Sequence, residues 1–130
     1  MLTVELDKLY KCLCDVQRLR ILNLLMLGAL CVCHLQEILD ESQVKVSKQL
    51  QYLKKMGLVS AQREGMWMVY SLNKPFHPLL VANIQASLVL RDEYPFFAED
   101  LIKRELILKR FTENRAECPK VVYQSCENKG

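Results

Sequence analysis

Residues 42–57 read SQVKVSKQLQYLKKMG, a segment with the signals of a helix start, an amphipathic face and a helix stop. Ser42 is a preferred N-cap residue, and Gly57 suits the left-handed position that follows a helix. Apolar residues recur between them at helical spacing, namely Val46, Leu50 and Leu53. The segment therefore predicts a helix that turns one face to a core and leaves the opposite face free for a partner.

The chain before this segment predicts three further helices. The first covers about residues 3–13, and the second begins at the N-cap residue Asp15 and ends at Gly28. The third is short, about residues 32–39, and a polar turn at residues 40–42 separates it from the helix that follows. The third and fourth helices thus form a helix-turn-helix pattern.

Beyond the fourth helix, the period of the apolar residues changes from that of a helix to that of strands. Residues 58–63 and 66–72 each read as a strand, with a turn at residues 64–65 between them, so we predict a β-hairpin. An apolar helix follows at about residues 78–90, and its lack of charge suggests packing against a second copy of the chain. A further amphipathic helix covers about residues 96–114.

The composition is that of one soluble domain: 130 residues, 51% hydrophobic and 25% charged, with a net charge of +3. No apolar run reaches the roughly 18 residues needed to cross a bilayer, and the N-terminus lacks a signal-peptide pattern. We therefore expect a cytoplasmic protein with no membrane partner. In a reducing compartment, clustered cysteines indicate metal binding or redox sensing rather than a disulfide framework.

The cysteines fall in three pairs: Cys12 with Cys14, Cys31 with Cys33, and Cys118 with Cys126. The middle pair stands at the start of the third helix, where irregular backbone lets both sulfurs reach one ion. The positive end of that helix also favours the thiolate form, which is the form that binds soft metals. We therefore predict a site for As(III), Sb(III), Cd(II), Pb(II) or Zn(II) at this middle pair.

Basic residues concentrate on the fourth helix and the hairpin. Residues 42–63 contain no acidic residue, and this is the charge distribution expected of a surface that faces phosphates. The candidate DNA-binding residues point away from the predicted core: Ser42, Gln43, Lys45, Ser47, Lys48, Gln49, Tyr52 and Arg63. The alternative is a solvated amphipathic helix whose exposed side is basic by chance, but the hairpin beside it favours DNA binding.

Three of these segments resemble the arsenical-resistance (ArsR-type) repressors, which are small dimeric winged-helix proteins. Residues 42–50 resemble the recognition helix of the family, residues 14–22 its Asp-Pro-x-Arg-Leu-x-Ile-Leu helix start, and residues 63–72 its wing. The resemblance covers about residues 5–92. Met66 departs from the pattern, because an arginine that contacts phosphate is common at that position of the wing.

The resemblance implies a mainly α (α+β) fold, a winged helix-turn-helix with a two-stranded wing that forms a homodimer through its terminal helices. It divides the chain into a DNA-binding and dimerisation domain at residues 1–92 and a C-terminal helix with a flexible, cysteine-containing tail at residues 93–130. It also implies a transcriptional repressor, not an enzyme. Such a repressor controls an arsenic (soft-metal) resistance operon and leaves double-stranded operator DNA when As(III) or Sb(III) binds cysteine thiolates.

The resemblance gives Cys31 and Cys33 as metal ligands, because they match two positions of the family's Cys-Val-Cys-x-x-Cys box. The third position is Gln36, so a three-sulfur site needs a thiol from elsewhere. Four cysteines remain as candidates, and the two in the tail rank slightly first because their reach is least constrained: Cys118, Cys126, Cys12 and Cys14. Cys12 and Cys14 are interpreted equally well as small, buried hydrophobic residues. His34 reads as a surface or satisfied histidine, better suited to Zn(II) than to As(III).

Two alternatives remain open. A repressor of the same fold could sense oxidants or persulfides through a bridge between two cysteines. A thiol-dependent reductase is less favoured, because the sequence has no Cys-x-x-Cys on a βα unit and no phosphate-binding glycine loop. The zinc or nickel site that the family often carries on its last long helix is not expected, since residues 78–90 contain no His, Asp or Glu.

Overall fold

The structure, a computed structural model, describes residues 4–113, with side chains up to residue 110. The predicted tail with Cys118 and Cys126 lies outside the described residues. The elements in chain order are α1 (Leu6–Leu13), α2 (Val16–Leu25), β1 (Leu30–Cys31), α3 (Val32–Leu39), α4 (Gln43–Lys55), β2 (Val59–Glu64), β3 (Trp67–Leu72), α5 (Pro78–Val89) and α6 (Phe96–Glu113).

Local capping signals set the ends of the helices that form the helix-turn-helix. The Asp15 side chain accepts a hydrogen bond from the backbone N–H of Arg18 at 3.0 Å, which fixes the start of α2. The Ser42 hydroxyl accepts one from the backbone N–H of Lys45 at 3.3 Å and begins α4. Gly57 follows α4 with a φ of 89°, a left-handed conformation that glycine adopts without strain. The predicted bounds of the third and fourth helices are confirmed.

The predicted hairpin is confirmed, and a short third strand joins it. Strands β2 and β3 pair antiparallel from Val59 opposite Leu72 to Glu64 opposite Trp67. Strand β1 pairs with the other edge of β3, with Cys31 opposite Val69. The prediction of a two-stranded wing omitted β1, because two residues are too few to show an alternating pattern. The extra strand places Cys31 in direct backbone contact with the wing.

The core lies where α2, α3 and α4 pack against one another and against β3. The three apolar residues on the inner face of α4 are fully buried, as predicted: Val46, Leu50 and Leu53. Each such side chain contributes roughly 1.5–3 kcal/mol when it leaves water. The packing therefore holds α4 firmly against α3, the helix that carries the middle pair of cysteines.

Helix α6 completes the core by packing against α2 and α3. The Arg20 guanidinium of α2 forms an ion pair with Asp100 of α6 at 2.8 Å, and the Asn23 side chain donates to the Phe97 carbonyl at 3.1 Å. In contrast, α5 buries few residues and leaves Val89 79% exposed. No helix within residues 4–113 combines the length and the apolar character needed to cross a membrane.

Candidate thiol site and nucleic-acid interface

The predicted pair of cysteines is the centre of a cluster of potential metal ligands. Cys31 ends β1 and is the N-cap residue of α3, while Cys33 lies in the first turn of that helix. Their two sulfurs and Nδ1 of His34 all lie within 4.8 Å of one another. Among the side chains of residues 4–110, no other group of three or more Cys, His, Asp and Glu meets this distance. The two sulfurs form a disulfide, with the Cα atoms 5.4 Å apart.

His34 is a part of this cluster that the sequence interpretation did not favour. Its side chain is fully buried, and Nδ1 accepts a hydrogen bond from the Cys31 backbone N–H at 3.3 Å and lies 3.2 Å from the Cys31 sulfur. Burial lowers the pKa of His34 to about 4, and nearby Glu37 only partly opposes this shift. The ring is therefore neutral at physiological pH, with Nδ1 turned toward Cys31. The sequence signal that could have revealed this role is the position of His34 three residues after the N-cap residue Cys31, which is the spacing of a capping box.

The first pair of cysteines lies apart from this cluster. Cys12 is fully buried in α1, and burial raises the pKa of its thiol to about 11, although the positive charge of Arg18 opposes the shift. Cys14 is exposed and its thiol donates to the Lys11 carbonyl at 3.1 Å. Two interpretations were predicted for Cys12, a metal ligand and a small buried hydrophobic residue. Its burial agrees with the second.

A groove connects the cysteine pair with α4 and the wing, and we call it the thiol groove. Its lining comes from α3 and the residue before it, from α4, and from the hairpin. In that order, the lining residues include Cys31, Cys33 and Gln36, then Gln43, Ser47 and Gln51, and then Arg63, Met66, Trp67, Met68 and Tyr70. Three of these residues, Gln43, Ser47 and Arg63, are predicted DNA-binding residues. The groove therefore brings the predicted metal ligands next to part of the predicted nucleic-acid surface.

Half of the eight predicted DNA-binding residues lie in exposed positions on the outer face of α4 or at its N-cap. Ser42, Gln43, Lys45 and Lys48 are exposed, Ser47 is half-buried, and Arg63 is exposed on the neighbouring strand β2. The Lys45 ammonium lies 3.6 Å from the Glu41 carboxylate, whereas its side chain remains 71% exposed. The exposed side chains among these are accessible to bases and phosphates.

The other two predicted DNA-binding residues, Gln49 and Tyr52, are held by Arg18. The Arg18 guanidinium donates to the Gln49 amide oxygen at 3.1 Å and lies 4.4 Å from the centre of the Tyr52 ring. It also donates to the backbone carbonyls of Lys11 and Cys12, at 2.9 and 3.1 Å. Arg18 thus links α1, α2 and α4, a role that the sequence interpretation missed.

Comparison with known proteins gives the family. The family described as "Bacterial regulatory protein, arsR family" matches residues 15–61. The chain is 44% identical over 78 residues to the arsenical resistance operon repressor of Escherichia coli, a match that covers 59% of this chain and 66% of the repressor. It is 37% identical over 83 residues to the arsenic resistance transcriptional regulator ArsR2 of Pseudomonas putida, covering 60% of this chain and 72% of that protein. This chain belongs to the ArsR family.

Solved structures of other regulators share the fold of this ArsR-family protein. HlyU of Vibrio cholerae superposes with a TM-score of 0.55 at 30% identity, over 68% of this chain and 89% of that chain. The antimony-specific transcriptional repressor AntR gives a TM-score of 0.55 at 31% identity, over 67% and 77% of the two chains. A homodimeric winged helix-turn-helix DNA-binding domain from Mycobacterium bovis gives 0.53 at 30% identity, over 68% and 79%. The predicted winged helix-turn-helix is confirmed.

Family membership also decides between the classes of function. ArsR-family proteins are DNA-binding transcriptional regulators and not enzymes, which confirms that prediction and removes the thiol-dependent reductase.

Proposed function

We propose that this ArsR-family protein represses an arsenic (soft-metal) resistance operon in the cytoplasm and leaves its operator when As(III) or Sb(III) binds Cys31 and Cys33. The observation that carries the proposal is the position of the two sulfurs, which lie together at the start of α3 while α3 packs against α4. Thiolates are the ligands that soft ions prefer. The names of the relatives in Escherichia coli and Pseudomonas putida support the same inducer.

We propose that a homodimer reads double-stranded DNA with α4 and the wing. The residues that meet DNA are Ser42, Gln43, Lys45, Ser47, Lys48 and Arg63, with Gln49 and Tyr52 at the margin beside Arg18. The exposed basic and amide side chains suit base edges and phosphates in a major groove. The apolar surface of α5 supports a dimer, since Val89 and Leu90 are 79% and 48% exposed within one chain.

The third ligand of an As(III) site is proposed to come from the C-terminal tail. Arg110 near the end of α6 forms an ion pair with Glu37 of α3 at 2.6 Å, so α6 delivers the chain to the helix that carries the cysteines. The five residues from Glu113 to Cys118 can span at most about 17 Å, and α3 is only about 12 Å long. Cys118 and Cys126 of the tail therefore rank ahead of Cys14 and the buried Cys12. For Cd(II), Pb(II) or Zn(II), His34 is an additional candidate.

The switch follows from what an ion demands of the sulfurs. Both thiols must be reduced, and bonds of about 2.3 Å to one ion would pull Cys31 away from its place in the capping box with His34. Because Cys31 belongs both to the sheet and to the N-terminus of α3, the displacement reaches the wing as well as α4. A coupling of a few kcal/mol suffices to lower operator occupancy ten- to a hundredfold.

The observed disulfide favours a second candidate function, a thiol-redox or persulfide-sensing repressor of the same fold. Cys31 and Cys33 are joined in the structure, so one pair of residues can exist as a dithiol or as an oxidised bridge. In this function an oxidant or a persulfide, rather than an ion, would change the geometry at the start of α3.

An arsenite titration of the protein–operator complex tests the proposal. We expect the Cys31→Ser, Cys33→Ser protein to bind a labelled operator normally in fluorescence anisotropy but to ignore arsenite. The matched control is Cys14→Ser, which removes an exposed thiol elsewhere and should respond like the parent. Release of the double variant by arsenite would disprove the site. Release of the parent by peroxide in metal-free buffer, with no response to arsenite, would select the redox function instead.

A further inference from the structure

Helix α6 carries two exposed apolar residues on the face that it turns away from the core. Ile102 and Leu106 are 60% and 65% exposed, and they lie about one helical turn apart. Arg104 stands midway between them in the chain and is 1% exposed. Because two residues along a helix turn the side chain by about 200°, both apolar side chains point to the side opposite Arg104. The inner face of α6 packs against α2 and α3, so this outer face is accessible to a partner.

Two opposite charges flank the apolar pair at equal distances along the helix. Glu99 precedes Ile102 by three residues, Lys109 follows Leu106 by three residues, and both charged residues are exposed. Within residues 4–110, neither of them forms an ion pair. We call Glu99, Ile102, Leu106 and Lys109 the α6 stripe. Its positions are symmetric about residue 104, whereas its two charges have opposite signs.

We propose that the α6 stripe binds the α6 stripe of a second copy of the chain, with the two helices antiparallel. In an antiparallel pair with twofold symmetry, a residue that precedes the centre meets the residue that follows the centre by the same number of positions. With the centre at residue 104, Ile102 packs on Leu106 and Glu99 faces Lys109, and each contact occurs twice. A parallel pair would place each charge against its own copy, so the charges select the antiparallel arrangement.

The small size of this contact separates it from the dimer of the proposed function, on which the inference rests. That dimer uses α5, a helix without charged residues that leaves Val89 79% exposed. The α6 stripe offers four residues per chain, whereas a standard interface takes roughly 20–30 residues from each partner. The stripe is therefore a second, weaker contact, which joins dimers into assemblies of four or more chains at micromolar rather than nanomolar concentrations.

An assembly of this kind leaves the DNA-binding surface accessible. Among the described residues, the groove between α2 and α4 that contains Lys45, Lys48 and Tyr52 has no lining residue from α6, and neither has the thiol groove. Two dimers joined through α6 would thus present two DNA-binding surfaces, each able to hold its own operator.

Charge reversal tests the antiparallel register. The measurement is sedimentation velocity of the full chain, without DNA and with a reducing agent that prevents disulfides between chains. At tens of micromolar we expect the parent to form assemblies of four or more 15.1 kDa chains, which dissociate to dimers on dilution. Glu99→Lys places a lysine against Lys109 twice in each contact, and it should raise the dissociation constant of the assembly at least about tenfold.

Lys109→Glu should weaken the assembly by a similar factor, since it places two carboxylates together. The combined variant Glu99→Lys, Lys109→Glu restores both pairs of opposite charge, so its dissociation constant should return to within about threefold of that of the parent. A combined variant that assembles as weakly as the single variants would overturn the inference.

The apolar part of the stripe has a matched control on the wing. Ile102→Glu should give only dimers, whereas Met66→Glu, which adds the same charge at a residue that is 95% exposed, should assemble like the parent. Assemblies that persist in Ile102→Glu would overturn the inference, and so would a loss of its dimers, because α6 would then form the primary interface. A parent that stays dimeric at every concentration would also overturn it and would assign the stripe to another occupant, such as residues 111–130 of the same chain.

Operator binding separates the inference from the proposed function. At nanomolar concentrations, Glu99→Lys should bind a single labelled operator like the parent and release it when arsenite is added, because neither step needs a contact between α6 helices. If arsenite releases the parent but the parent never exceeds a dimer, only the inference fails. If the assemblies form as expected while arsenite has no effect on operator binding, only the proposed function fails.

Discussion

Cys12 and Cys14 are two residues apart in the chain but differ in their chemical surroundings. Burial raises the pKa of Cys12 from 9.0 to about 11, so at pH 8 its thiolate population is about a hundredfold below that of an unperturbed thiol. Cys14 is exposed. We predict that iodoacetamide modifies Cys14 in the native protein at least about a hundred times faster than Cys12, as followed by peptide mass spectrometry. In urea the two rates should converge, and similar rates in native buffer would contradict the burial of Cys12.

His34 should make the stability of the protein depend on pH. Its pKa falls from 6.5 to about 4 on folding, so the unfolded chain binds more protons than the native chain between these pH values. The free energy of unfolding should therefore decrease as the pH falls from 6.5 to 4, by up to about 3 kcal/mol from this residue. Urea unfolding at a series of pH values, in the presence of a chelator, measures the decrease.

The control for this prediction is the variant His34→Asn, which removes the titrating ring. The variant is expected to be less stable at pH 7, because it loses the packing of a fully buried side chain. Between pH 6.5 and 4, however, its free energy of unfolding should change less than that of the parent. Parallel curves for the two proteins would show that His34 is not buried as a neutral ring.

At the scale of elements, two ion pairs that hold α6 should differ in their contribution to stability. Asp100 is 1% exposed and pairs with Arg20, whereas Glu37 is 44% exposed and pairs with Arg110. Removing one partner of a buried pair leaves an uncompensated charge, so Asp100→Asn should lower the free energy of unfolding by about 3 kcal/mol. Glu37→Gln should lower it by less than about 1 kcal/mol. Urea unfolding compares the two variants, and equal losses would show that α6 is not anchored through Asp100.

The elements that the sequence predicted are those whose signals are local. Asp15, Ser42 and Gly57 mark helix ends because a cap residue acts on the backbone within three residues of itself. Strand β1 has only two residues and exists through its pairing with β3, which is more than thirty residues away in the chain. Such an element has no period of its own, so only the tertiary structure reveals it.

The residues of the candidate site also divide into those with a local signal in the sequence and those placed by tertiary contacts. The sequence alone singled out Cys31 and Cys33 because their spacing is local and their side chains are chemically distinctive, and the structure brings their sulfurs together. The position of His34 against Cys31 depends on the complete burial of its ring, which the sequence around it does not announce. Arg18 was missed for a related reason, since its partner Gln49 is 31 residues away. Long-range partners of polar side chains are set by the packing of helices, not by spacing along one helix.

At the scale of the whole molecule, the basic surface of α4 should govern the salt dependence of DNA binding. Lys48 is exposed there, and each phosphate contact of the proposed dimer occurs twice. Lys48→Gln should therefore reduce the slope of log affinity against log salt by about 1.8, measured by fluorescence anisotropy on operator DNA. Lys109→Gln removes an exposed charge from α6 instead and should leave the slope unchanged. A reduction of about 0.9 would indicate that one subunit alone contacts DNA through this residue, and no reduction would place Lys48 outside the interface.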